Sequence, residues 1–226
     1  MLSRSRRLCH ALALLSGLAV GEASAGLEIV TAADNPTIAA DTVVVRLTGE
    51  IGPPMADALS AMWADSAHRY RRLLIDLDSP GGSLSETESL VAVIAGIRKD
   101  ATVDTLVRHG ALCASACVAL FVQGADRAAG GASVWLFHGA CHEADDTVPS
   151  LALTQRYLDI LRAAGVSERF ICELVSKGYV TTPGDFWLSG YELFHVYKAN
   201  VITRLLAPWR PEAARLPPPS PWIGPH

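Results

Sequence analysis

Three short apolar runs, residues 42–47 (Thr-Val-Val-Val-Arg-Leu), 72–77 (Arg-Leu-Leu-Ile-Asp-Leu) and 103–107, are separated by two segments in which apolar residues recur at helical spacing. In the first segment these are Met55, Leu59, Met62 and Trp63, with Pro53-Pro54 at a suitable helix entry; in the second, residues 84–97, they are Leu90, Val93, Ile94 and Ile97. Runs of five or six residues without strict alternation are what strands buried on both faces require. Strand alternating with helix implies parallel strands joined by crossover helices, hence an α/β fold with a mainly parallel sheet. The same alternation continues through a helix at 115–122 and a strand at 133–137. Two more helices follow. Residues 149–164 place Leu153, Tyr157, Ile160, Leu161 and Ala164 on one side before Gly165, and residues 168–177 end at Gly178.

The ends of the chain are of a different kind. Residues 1–25 carry basic Arg4, Arg6 and Arg7, an apolar stretch over 11–20 too short for a membrane span, and the small-x-small triplet Ala23-Ser24-Ala25. These are the three parts of a secretory signal cleaved after Ala25. The expected mature chain, residues 26–226, keeps 16 of 19 basic and 22 of 23 acidic residues. That mildly acidic balance does not suggest a nucleic-acid footprint. Residues 26–207 are long enough for one domain with a sizeable core, and residues 208–226 form a proline-rich tail. The expected address is outside the cytoplasm, in the periplasm, where thiols tend to oxidise. Cys9 leaves with the signal, and Cys113, Cys117, Cys141 and Cys172 remain as disulfide candidates, with three pairings open. Two of these pairings tie the corner at 113–117 to later segments. A zinc site from Cys113, Cys117, Cys141 and His142 lacks the paired-knuckle spacing, so no metal is expected.

Four places carry candidate chemistry. Ser115 lies between Ala114 and Ala116 where an apolar run gives way to a helix. Small neighbours allow a sharp corner that leaves the hydroxyl proud and aims the next N–H at whatever it attacks. Gly81 and Gly82, directly after a buried strand, let backbone N–H groups approach a ligand as an oxyanion hole needs. His138 ends the run Val134-Trp135-Leu136-Phe137, and strand ends are where α/β sheets gather functional groups. Asp185 sits in a turn between Pro183-Gly184 and Phe186. Each also has a plain structural reading: a packed serine, a turn, a structural histidine, a turn aspartate.

Taken together, the four places resemble the proteolytic subunit of the Clp protease and its relatives in the ClpP/crotonase fold, over about residues 43–202. Ser79-Pro80-Gly81-Gly82-Ser83 is similar to the family's oxyanion-hole segment. Ala114-Ser115-Ala116 is similar to the pair carrying its nucleophile, and Phe137-His138 to the step carrying its base. The stretch from Asp185 to Ser189 and Glu192 resembles the segment carrying its third triad member. The resemblance implies repeated β-β-α and βαβ units and a Ser115–His138–Asp185 triad with oxyanion donors among Gly81, Gly82 and Ala116. It implies a serine hydrolase, most directly an endopeptidase, acting on peptide or unfolded-protein substrates with no cofactor. The family forms stacked rings through the helix that residues 149–164 would supply, which implies a homo-oligomer. Three departures stand out. Cys117 replaces a glycine common in the family, Cys113 has no counterpart, and Val196-Tyr197-Lys198-Ala199-Asn200 lacks an expected glycine. The export signal implies work without an ATP-dependent unfoldase. An esterase or thioesterase with the same triad and an inactive scaffold of the same fold are the alternatives.

Overall fold

The computed structural model describes residues 26–66, 69–141 and 148–207. The expected signal peptide and proline-rich tail therefore lie outside the described residues. The β-branched run becomes β2 (Thr42–Thr48), which pairs in parallel with β3 (Arg72–Asp78), itself parallel to β4 (Thr102–Val107). In register, Val45 lies beside Ile75 and Ile75 beside Thr105. The two crossovers are α1 (Met55–Ser66) and α2 (Leu84–Ile97), which pack on each other. Leu59 and Trp63 of α1 and Leu90, Ile94 and Ile97 of α2 are buried with Val43, Val45, Leu47, Leu73, Ile75 and Leu77.

Five strands come from segments for which the sequence predicts none. β1 (Gly26–Val30) runs antiparallel along β2, and β6 (Arg127–Ala129) follows β4 in parallel. β5 (Leu112–Ala114) and β8 (Phe186–Ser189) join β7 (Val134–Phe137) in a second, three-stranded sheet ordered β5-β7-β8. The large sheet has the order β1-β2-β3-β4-β6-β9, with β9 (Arg204–Leu205) at its edge. β5, β6 and β9 have three residues or fewer and β8 has four, so hydrophobic period has nothing to grip there. The architecture is a mixed, mainly parallel α/β fold.

The two sheets meet at the carboxyl end of β3. Ser79 bridges to Cys113, its N–H donating to the Leu112 carbonyl while its carbonyl accepts from Ala114, and the Asp78 carboxylate accepts the Leu112 N–H at 2.9 Å. α3 (Ala116–Phe121) is buried along its whole length. Phe121 and Trp135 meet edge to face at 4.9 Å, Phe137 and Phe170 at 5.2 Å. These contacts fix β7, which carries His138, against α3 and against α5 (Glu168–Ser176). α4 (Leu151–Ala163) buries Thr154, Tyr157, Leu158 and Leu161, so its inward face is turned slightly from the predicted one. Ser150 caps it, and the sequence-based start at residue 149 moves to residue 151. Among the described residues no helix is long and apolar enough to cross a membrane.

Candidate active site

Consecutive strand ends bring three of the four places together. β5 and β7 run in parallel with Ala114 beside Leu136, so the chains leave the sheet side by side as Ser115 and Phe137-His138. The Ser115 N–H donates to the Leu136 carbonyl at 2.9 Å. Ser115 itself stands outside α3, at φ 53° and ψ −122°, a left-handed backbone that a serine adopts only when its surroundings impose it. The surroundings here are two sheet bonds before it and a buried helix after it. The predicted corner is thus present, with the helix beginning at Ala116 rather than at the serine.

Across the corner lies the glycine pair. Gly81 has φ 96°, and a β-carbon there would stand 2.6 Å from the Ala114 carbonyl oxygen and 2.9 Å from the β-carbon of Ser115. Gly82 has φ 144°, and a β-carbon there would clash with the Ile51 carbonyl. Only glycine lets the 79–83 segment thread between Ile51 and the serine corner. The two glycines differ in what they offer a ligand. The Gly81 N–H donates to the Ser79 hydroxyl at 3.1 Å, and that hydroxyl donates to the Gly49 carbonyl at 2.6 Å. Gly81 therefore serves by absence of a side chain, its N–H being taken. The N–H groups of Gly82 and Ala116 have no hydrogen-bond partner among the described residues. Ser79, fully buried, is the residue whose role the sequence reading missed. A serine two positions before such an N–H is the Ser-turn signal that marks it.

A cleft of about 370 Å³ opens on this corner, lined among others by Glu50, Ile51, Gly82, Ser115, Ala116, His138, Cys141 and Tyr157. Ser115 and His138 are half-buried in it. Asp185 is exposed, immediately before β8. β7 and β8 are antiparallel, and Phe137 opposite Phe186 is the last pair of their register, with His138 following the one and Asp185 preceding the other along the chain. Among the described residues Ser115, His138 and Asp185 make no side-chain hydrogen bond to one another, and no three His, Cys, Asp or Glu side chains are grouped to hold a metal ion.

The disulfide lies within the corner. Cys113 on β5 and Cys117 in the first turn of α3 are bonded, with Cα atoms 5.3 Å apart, closing a five-residue loop around Ser115. A bridge from the corner to later segments is thereby corrected: Cys141, half-buried, and Cys172, exposed, stay thiols. The reason is proximity, since a strand end and the next helical turn bring residues four apart within bonding range.

No protein-family model matches the sequence, and no curated protein does. Solved structures do match. A ClpP1 point mutant from Listeria monocytogenes superposes with a TM-score of 0.56 at 20% identity, covering 72% of this chain and 90% of that one. The ClpP protease catalytic domain from Plasmodium falciparum gives 0.57 at 18% identity, covering 76% and 88%. The chain has a ClpP-like fold.

Proposed function

We propose that the protein is an exported serine hydrolase, foremost an endopeptidase, with Ser115 as nucleophile, His138 as general base and Asp185 as the group that orients the imidazole. The observation that carries the proposal is Ser115 held at a positive φ in a cleft shared with His138, beside the unpartnered N–H groups of Gly82 and Ala116. His138 takes the proton as the Ser115 oxygen attacks the substrate carbonyl, then delivers it to the leaving amine; water repeats the cycle on the acyl-enzyme. The developing oxyanion is bound by the Gly82 and Ala116 N–H groups, each such donor being worth about 3–4 kcal/mol. No step calls for a cofactor. Substrates are peptides or unfolded proteins reaching the cleft without an ATP-driven unfoldase. The signal-like residues 1–25 and the Cys113–Cys117 bridge both favour an oxidising, periplasmic address. The ClpP-like fold favours a homo-oligomer.

One observation favours the inactive-scaffold reading: Ser115, His138 and Asp185 are not hydrogen-bonded to one another. Catalytic hydrogen bonds are often loose without substrate, so the chemistry has to be tested directly. A fluorophosphonate probe applied to the oxidised mature protein should add one adduct at Ser115 by mass spectrometry, lost in Ser115→Ala and at least a hundredfold slower in His138→Ala. A folded protein that takes no label, before or after mild reduction, is a scaffold.

A further inference from the structure

The cleft beside Ser115 contains a deeply buried polar group that the reaction above does not use. Tyr157 of α4 lines the cleft and is 3% exposed, and its hydroxyl is buried with no hydrogen-bond partner among the described residues. Buried tyrosine hydroxyls ordinarily find a partner, because leaving one unpaired forfeits its hydration for nothing. Thr154, one turn earlier and buried as deeply, has one: its hydroxyl oxygen accepts the Ala140 N–H at 3.0 Å, tying α4 to the loop that follows His138. The same face of α4 thus satisfies its first polar side chain within the protein and leaves its second unsatisfied in the wall of the cleft that Ser115 also lines. The apolar part of the cleft's lining includes Ile51, Leu84, Ala116 and Ala140. Burial drives its acidity far below that of an exposed phenol, so it stays a neutral hydroxyl able both to donate and to accept.

We propose that Tyr157 is a specificity-determining residue of this site, its hydroxyl binding the substrate side chain on the acyl side of the scissile bond. The cleft then selects a side chain with an apolar stem and an uncharged hydrogen-bonding tip, as in glutamine, over an apolar one of the same shape, as in methionine. An apolar tip leaves the phenol unpaired, which turns a buried hydroxyl into a filter. A charged tip fails for the opposite reason, since a neutral phenol does not compensate a desolvated charge. The inference rests on the serine-hydrolase reading.

Three phosphonate probes separate the two. A plain fluorophosphonate reports whether wild-type Ser115 is an activated nucleophile. Peptidyl diphenyl phosphonates carrying a glutamine or a methionine side chain next to phosphorus report selectivity, read as second-order rates of Ser115 adduct formation by intact mass. Their ratio within one protein sample does not depend on the fraction folded. In the wild type the glutamine probe should react about 10- to 100-fold faster than the methionine probe, and in Tyr157→Phe the ratio should fall to near one or invert. Plain labelling accompanied by a wild-type ratio near one, by the same ratio in both proteins, or by reaction with neither peptidyl probe overturns the role of Tyr157 and leaves the hydrolase reading standing. Absence of plain labelling overturns the hydrolase reading and this inference with it.

Discussion

Gly81 and Gly110 both have positive φ, 96° and 79°, yet they answer to different constraints. At Gly110 nothing lies within 4 Å of where a β-carbon would be, so alanine there meets only the backbone cost of a left-handed residue, about 1 kcal/mol. At Gly81 the added methyl would also press on the Ala114 carbonyl and on Ser115 itself. Either the 79–83 segment or the serine corner must yield. Gly81→Ala should therefore lower stability by about 2–4 kcal/mol in urea denaturation, against about 1 kcal/mol for Gly110→Ala. It should also slow fluorophosphonate labelling at least a hundredfold, while Gly110→Ala labels at the wild-type rate. Equal labelling by the two variants would show that close approach at Gly81 does not shape the corner. The same residue shows how far sequence alone reaches. Ser-Pro-Gly-Gly marked a backbone built for close contact, but which of its N–H groups stays available depends on the Ser79 hydroxyl, a bond no spacing rule contains. Tyr157 is a similar case: its helical spacing marked it as a core residue, which it is, and only the absence of a partner for its hydroxyl gives it a second meaning.

β8 begins directly after Asp185, and its far end is locked by a capping box. The Ser189 N–H and hydroxyl both donate to the Glu192 carboxylate at 2.8 Å, and the Glu192 N–H donates to the Ser189 hydroxyl at 3.2 Å. This box leads from the end of β8 into the π-helical turn Glu192–Val196. The two bonds from Ser189 hold the Glu192 carboxyl below the ordinary carboxylate range, the backbone bond contributing most. A carboxylate whose folded pKa is lowered contributes stability that is present above its unfolded value and is lost as the pH falls through the folded one. Glu192→Gln should thus be less stable than wild type near neutrality, by under about 1 kcal/mol for so exposed a pair. The gap between the two melting temperatures should close on titration to acid; a gap that stays constant would assign the effect to packing. The Ser-x-x-Glu pattern was legible as sequence, whereas the strand before it was not. β5, β6 and β8 have three or four residues each, and their existence depends on partners far along the chain rather than on local periodicity. The buried strands β2, β3 and β4 and helices α1 and α2 were legible because their apolar residues repeat over whole elements.

At the scale of the molecule, the order Gly-Gly, Ser, His along the chain becomes proximity because β3, β5 and β7 end at one place, where the second sheet grows out of the first. α4 then closes one wall of the cleft and continues to the surface at its amino end, where Val148 is 60% and Leu151 77% exposed. A single exposed leucine is ordinary, but these two flank the start of α4, through which the proposed homo-oligomer would assemble. A protomer buries little by means of Leu151, so Leu151→Glu should leave the unfolding free energy of the isolated subunit within about 0.5 kcal/mol of wild type. In an assembly that covers this surface, the same change places a carboxylate in an apolar contact and drives the subunits apart. Light scattering coupled to size exclusion should give a mass several times that of the protomer for the mature chain and a smaller one for Leu151→Glu. A variant that keeps the full mass would move the interface away from the start of α4. A wild type that already runs as a monomer would remove assembly from the proposal, and a cleft that labels in that state would be complete within one chain.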